Sequence, residues 1–65
     1  MKLSQSKVMV QMGKQRLRIE DLAKTAGVST TTIMGMRKGK NCRLSSAAKV
    51  SEALGLPLEE IVEEW

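Results

Sequence analysis

Residues 17–41 read LRIEDLAKTAGVSTTTIMGMRKGKN, and this stretch decides the fold. Its first apolar residues recur at the spacing i, i+3, i+4, i+7, which predicts a helix over residues 19–26 with one face against a core. Gly27 ends this helix, because glycine takes the left-handed conformation at a helix C-terminus without a steric penalty. Ser29 is a suitable N-cap for a second helix over residues 30–38. The stretch therefore predicts two short helices joined by a turn of about three residues.

The helix predicted over residues 30–38 has two different faces. Ile33 and Met36 fall on one side and should face the core. The opposite side carries Thr31, Met34, Gly35 and Lys38, flanked by Thr30 and Arg37. An interior glycine costs a helix about 1 kcal/mol relative to alanine, so Gly35 indicates close approach by another molecule. A small outer face edged with cations has the shape that a DNA major groove accepts.

Apolar periodicity outside this stretch predicts three more helices. The first covers residues 5–14, and a fourth begins at a cap formed by Ser45 or Ser46 and ends at Gly55. A fifth begins at Pro57. That last helix would place on one face the apolar residues Leu58, Ile61, Val62 and Trp65. Strict alternation of apolar and polar residues is absent, so the predicted fold class is all-α with five short helices.

Charge is distributed unevenly along the chain. The 65 residues include 11 Lys and Arg against 7 Asp and Glu, a formal net charge of +4. Ten of the basic residues and two of the acidic ones lie in residues 1–43, whereas residues 44–65 hold one lysine and five glutamates. Such an asymmetry suits a protein that turns one face toward a polyanion. A solvated basic surface without a partner has the same composition, so charge alone leaves both interpretations open.

The composition also excludes several classes of protein. The chain has no His, no Tyr and one Cys, so it lacks the usual general bases and any cluster of metal ligands. We therefore predict no enzyme, no cofactor and no metal site.

A single cysteine forms no intrachain disulfide, which favours a reducing cytoplasm. No stretch approaches the roughly 18 apolar residues of a membrane span. We expect a soluble protein without a membrane partner and a single domain over residues 1–65.

These residues together resemble the helix-turn-helix regulators of the lambda-repressor and Cro type, also called the xenobiotic-response-element family. The resemblance is carried by Leu22, Ala23, Gly27, Val28, Ser29, Ile33 and Met36. Beyond them, Gly39, Leu44 and the run AxxVSEALGLPLEEI look like the family's fourth and fifth helices. The resemblance implies a compact five-helix lambda-repressor-like domain. It further implies a transcriptional regulator of bacterial or phage origin, associated with the nucleoid, that binds specific double-stranded DNA and acts as a repressor by family habit.

Three positions depart from the family's pattern. A Gln that commonly opens the second helix and contacts a phosphate is Ile19 here, so Arg18, Arg16 or backbone N–H groups would have to anchor that phosphate. A Glu near the end of the recognition helix is Arg37, which adds a cation near the expected DNA. A Pro in the following loop is Cys42, which we expect to leave that loop less rigid.

The resemblance assigns expected roles to individual residues. Base-reading positions are Thr30, Thr31, Met34, Gly35 and Lys38. A threonine offers a hydroxyl to base edges and a methyl to the thymine C5-methyl, and Lys38 would donate to guanine O6 and N7 or to a phosphate. Phosphate-binding positions are Lys14, Arg16, Arg18, Ser29, Arg37, Lys40, Asn41 and Arg43. If six of these neutralise phosphates, log K falls with log salt at a slope of roughly −5.

Partner surfaces are a separate expectation. We predict a homodimer, because symmetric operators often require one, with an interface that includes Leu58, Ile61, Val62 and Trp65. A second interpretation is a protein-interaction adaptor of the same fold, such as an antirepressor or an antitoxin-like partner. It would use Met34, Gly35 and Met36 against another protein.

Cys42 has two interpretations. It is either an incidental loop residue or a redox sensor whose pKa is lowered by the neighbouring Lys40 and Arg43.

Overall fold

The computed structural model describes all 65 residues. Its elements in chain order are β1 (Lys2–Leu3), α1 (Gln5–Lys14), α2 (Ile19–Ala26), α3 (Thr30–Arg37), α4 (Leu44–Leu54), α5 (Leu58–Ile61) and β2 (Val62–Glu64). The five predicted helices are present. The all-α prediction is incomplete, because β1 and β2 form a small antiparallel sheet that joins the two ends of the chain.

Side chains that cap the backbone define the starts of the first three helices. The Ser4 hydroxyl accepts a hydrogen bond from the Lys7 backbone N–H at 3.3 Å, and the Ser29 hydroxyl accepts one from the Thr32 backbone N–H at 3.1 Å. At the start of α2 the Asp21 carboxylate accepts from the Arg18 backbone N–H at 3.0 Å. Each cap satisfies a donor that the helix leaves free, so the local sequence fixes where α1, α2 and α3 begin.

The second half of the chain differs from the prediction at two places. Helix α4 begins at Leu44 with Arg43 as its N-cap residue, so neither Ser45 nor Ser46 caps it. Helix α5 is a single turn that ends at Ile61, and the predicted face that continued to Trp65 does not form. The chain instead becomes extended, and the Ser4 backbone N–H donates to the Ile61 carbonyl at 2.7 Å.

Pairing with β1 explains why α5 stops early. Leu3 lies opposite Val62 in the sheet, and Leu3 has no exposed surface. Continuing α5 as a helix would leave the backbone of β1 without these partners and would remove Leu3 from the core. The sheet therefore replaces the last helical turns.

One hydrophobic core holds the helices and the sheet together. Its buried members are Leu3, Val8, Met12, Leu22, Ala23, Ile33, Met36, Ala47, Val50, Leu54 and Ile61. Every element of the fold except β2 contributes a side chain to this set. No helix combines the length and the apolar character that crossing a membrane requires.

Candidate nucleic-acid interface

Helix α3 separates core residues from exposed residues on its two sides. Ile33 is 0% exposed and Met36 is 1% exposed, as the spacing predicted. On the other side Thr30, Thr31 and Lys38 are exposed, Met34 is 45% exposed and Gly35 is half-buried. The helix ends at Arg37, one residue earlier than predicted, with Lys38 as its C-cap. The predicted base-reading residues thus share one accessible surface, the outer face of α3.

Gly35 leaves open space in the middle of that face. A Cβ atom built on Gly35 would meet no heavy atom of the chain within 4 Å. The protein's own packing therefore does not require glycine there. The helix backbone is therefore not covered by any other part of the chain at this point of the outer face.

A groove of about 410 Å³ runs along one side of α3, and we name it the loop-side groove. It is lined by Thr31, Thr32, Gly35, Met36, Lys40, Asn41, Cys42, Arg43 and Ser46. It brings two of the predicted base-reading residues together with three of the predicted phosphate-binding residues. Polar and cationic side chains of the loop after α3 form its outer wall.

Backbone hydrogen bonds hold the loop after α3 in place. The Lys40 N–H donates to the Gly35 carbonyl at 3.0 Å, and the Cys42 N–H donates to the Met1 carbonyl at 2.8 Å. A proline at position 42 has no N–H and would lose the second bond. The expectation that Cys42 loosens this loop is therefore wrong, since the cysteine backbone ties the loop to the segment before β1.

A second depression, of about 250 Å³, lies on the other side of α3, and we name it the α2-side notch. Its lining consists of Ile19, Met34, Arg37 and Lys38. Ile19 is the first residue of α2, where the family commonly has the phosphate-binding Gln. The Nε of Arg37 is buried and has no hydrogen-bond partner within the chain. An apolar floor with cations at its edge thus faces the α2 side of the helix.

The remaining predicted phosphate-binding residues are placed differently. Arg18 precedes α2 and is exposed. Arg16 is also exposed, and it is the one non-glycine residue with a positive φ, 54°. The Ser29 hydroxyl caps α3 and lies 2.9 Å from the Thr32 hydroxyl. Lys14 lines neither the loop-side groove nor the α2-side notch. It borders a separate depression together with Leu56 and Glu60.

Cys42 does not have the environment predicted for a redox sensor. The residue is half-buried. Burial raises the pKa of its thiol, and the charge of the N-terminus opposes that shift without cancelling it. The prediction that Lys40 and Arg43 lower this pKa is wrong. A raised pKa keeps the thiol protonated and weakly reactive at neutral pH.

Two residues named for partner surfaces are buried inside the chain. Ile61 is 0% exposed and belongs to the core, so it is not available to a second copy of the protein. Met36 is buried as well, which removes it from the surface expected of an adaptor. Leu58 and Val62 are half-buried, and Trp65 is 75% exposed. No group of three or more His, Cys, Asp or Glu side chains is arranged to hold a metal ion.

Sequence reasoning missed two features of this site. The α2-side notch was not predicted, although the signal was present in Ile19, an apolar residue at a position where the family has a polar one. The attachment of the loop to Met1 was also missed, and no local pattern indicates it, because it joins backbone groups far apart in sequence.

The geometry defines a class of protein, the helix-turn-helix domain, in which a second helix is held with its outer face free. The family model of the Cro/C1-type HTH DNA-binding domain matches residues 7–63. This match covers most of the chain, and the protein belongs to that family. The family resemblance predicted from the sequence is confirmed. No curated protein matches the chain.

Proposed function

We propose that this protein is a transcriptional regulator that binds specific double-stranded DNA by inserting α3 into the major groove. The observation that carries the proposal is the continuity of the outer face of α3 with the loop-side groove. Thr31 and Gly35 share that groove with Lys40 and Arg43. The residues proposed to read bases and those proposed to bind phosphates therefore lie side by side on one accessible surface.

The dimensions of α3 suit the major groove. A helix with its side chains is about 10–12 Å across, and the groove is about 12 Å wide, so the eight-residue α3 can enter it. Thr30 and Thr31 lie in its first turn, which is the part of a recognition helix that contacts base edges. The small side chains of this face and the open space at Gly35 allow the helix backbone to come close to the bases.

Cations beside α3 supply the electrostatic part of binding. Lys40, Asn41 and Arg43 lie along the loop-side groove, while Arg16 and Arg18 are exposed at the start of α2. We propose that they bind the phosphates that flank the contacted bases. Because Lys14 lies away from both sides of α3, we expect it to contribute less than the loop residues.

We propose that the regulator is a repressor, as the family resemblance implies, and that it acts by blocking the polymerase from a promoter it occupies. We propose that the protein binds as a homodimer and that Leu58, Val62 and Trp65 contribute to the interface. Trp65 is the most exposed of the three. A two-fold dimer pairs with an operator whose half-sites form an inverted repeat.

Selection of bound duplexes from a random pool tests the proposed function. The expected result is an enriched inverted repeat, and a fluorescent duplex carrying it should lose affinity with salt at a slope of roughly −5 for each bound protomer, which is roughly −10 for the proposed dimer. A scrambled duplex of the same length and composition is the control. If no motif is enriched and binding to both duplexes is equally weak, the proposal fails. The adaptor alternative, in which a protein partner contacts the exposed Met34 and the half-buried Gly35, then gains support.

A further inference from the structure

The two depressions beside α3 differ in the hydrogen-bonding chemistry they offer. The loop-side groove contains hydroxyl groups and the Asn41 amide, which both donate and accept. The α2-side notch contains Ile19, Met34, Arg37 and Lys38. Its only polar side chains are an arginine and a lysine, which donate and never accept. The notch therefore pairs an apolar surface with a rim of donors.

The apolar part of the notch is accessible. Met34 is 45% exposed and Ile19 is half-buried at the first position of α2. Nothing in the chain covers the volume of about 250 Å³ between them. If α3 occupies the major groove, we expect this notch to face one side of the groove. The edge of a base and the phosphate of the same strand would both lie within its reach.

Only one base presents a matching set of groups in the major groove. Thymine carries the C5-methyl together with the O4 acceptor. Cytosine and adenine each present an amino donor, which would find no acceptor among the four side chains of the notch and would lose its hydrogen bond to water. Guanine offers two acceptors but no methyl to fill the apolar part.

Arg37 and Lys38 can complete the match. The Nε of Arg37 is buried without a partner, so no internal acceptor holds this part of the guanidinium. Lys38 is exposed at the C-cap of α3, beside Met34 in the notch. Because Lys38 is exposed and the Nε of Arg37 is buried, Lys38 donates to O4, and the terminal guanidinium nitrogens of Arg37 meet the neighbouring phosphate.

We infer that the α2-side notch is a thymine-reading subsite, in which Ile19 and Met34 receive the C5-methyl and Lys38 donates to O4. The inference rests on the proposed function. It gives Ile19 an apolar role in specificity at a position expected to contact a phosphate.

Replacement of thymine by deoxyuridine tests the subsite, because uracil lacks only the methyl. Each thymine of the duplex recovered by selection is replaced singly, and the Kd is measured at fixed salt. We expect one position in each half-site at which uracil weakens binding roughly fourfold, the contribution of one buried methyl group. In Met34→Ala and in Ile19→Ala the Kd values for thymine and uracil at that position should be nearly equal.

Controls separate the notch from other sources of methyl recognition. Val10 is exposed on α1 outside both depressions, and Val10→Ala should keep the fourfold ratio. Thr31→Ala should also keep the ratio at this position, because Thr31 lines the opposite groove. Thermal melting shows whether Ile19→Ala is folded, and Met34→Ala supplies the same test at a residue outside the core.

The outcomes distinguish this inference from the proposed function. An enriched motif whose thymines all tolerate uracil overturns the subsite and leaves the proposed function in place. A uracil effect of the same size in wild type, Met34→Ala and Ile19→Ala places methyl recognition elsewhere and also overturns it. Failure to enrich any duplex overturns both.

Discussion

The inner face of α3 is buried in the core, whereas its outer face is open to another molecule, although both belong to one helix of eight residues. Ile33 and Met36 are enclosed by the core, whereas Thr31 and Met34 are exposed and Gly35 has open space above it. Threonine and glycine also lower the intrinsic stability of a helix. The helix therefore persists because its inner face is buried and its ends are capped, which leaves the outer face free to vary. Stability and recognition can thus be changed separately within one helix. Three substitutions in α3 and one in the loop after it test that separation.

The largest effect is expected at the inner face. Ile33→Ala removes a fully buried side chain and should lower the free energy of unfolding by about 2–5 kcal/mol. A chain of this length has roughly 3–10 kcal/mol in total, so much of the protein should be unfolded at 37 °C. Urea denaturation followed by circular dichroism measures the change. Met34→Ala, one residue away on the outer face, should shift the unfolding free energy by no more than about 0.5 kcal/mol. Equal losses in the two variants would contradict the division into faces.

The next effect concerns base discrimination at the outer face. Thr31→Ala should leave folding unchanged and reduce the preference for the correct base at its contact by about 1–3 kcal/mol. The measurement compares Kd values for the selected duplex and for its single-base variants. Thr25→Ala is the matched control, because Thr25 is exposed on α2 and lines a depression with Lys49, away from α3. Unchanged discrimination in Thr31→Ala would show that Thr31 does not read a base.

Gly35→Ala should move stability and DNA affinity in opposite directions. Because nothing lies within 4 Å of the added methyl, the helix should gain about 1 kcal/mol. The same methyl would stand between the helix backbone and the bases, so DNA affinity should fall. Gly13→Ala is a matched control, since Gly13 also lies in a helix with open space around it. It should gain similar stability and keep full DNA affinity. Unchanged affinity in Gly35→Ala would argue against close approach at this face.

The smallest effect is expected at the edge of the interface. Arg43→Ala should weaken all duplexes to the same degree and should flatten the salt slope by about one unit for each bound protomer, because each protomer loses one phosphate contact. Lys49→Ala removes the same charge from an exposed position of α4 outside the loop-side groove, and its slope should equal that of wild type. Equal slopes in the two variants would mean that Arg43 is a solvated charge.

The sequence predicted the helix-turn-helix closely, because its determinants are local. Ser29 caps α3 through a residue three positions away, and Gly27 ends α2 with φ of 74°. Periodicity then identified Ile33 and Met36 as inward-facing. Each of these determinants acts between residues that are close together along the chain, so it can be read from the sequence pattern alone.

The closing segments could not be predicted in the same way. Val62–Glu64 is extended because Lys2–Leu3 lies beside it, and a strand of two residues has no periodicity to detect. Helix α4 begins at Leu44, and its N-cap residue Arg43 makes no side-chain cap, although Ser45 and Ser46 follow directly. For the closing strand, tertiary pairing decided the outcome over local preference, whereas the start of α4 has no structural explanation.

The candidate site was predictable as a face but not as a set of depressions. Helical spacing identified the outer residues of α3. The loop-side groove and the α2-side notch depend instead on which loop and which helix lie beside α3. Ile19 and Met34 meet in one notch although they belong to different helices. Which bases or phosphates each residue contacts depends on the DNA as well, and the sequence of the protein does not contain that information.

Leu3 and Ile61 are both fully enclosed, and they come from opposite ends of the chain. During translation, the recognition helix is complete in the nascent chain well before residue 61 leaves the ribosome. The core cannot close until that residue emerges, because loop closure over almost the whole chain must precede these contacts. A growing chain that already contains all the proposed DNA-contacting residues should therefore be unable to hold them in place. We expect the chain to bind DNA only after Ile61 has emerged from the ribosome.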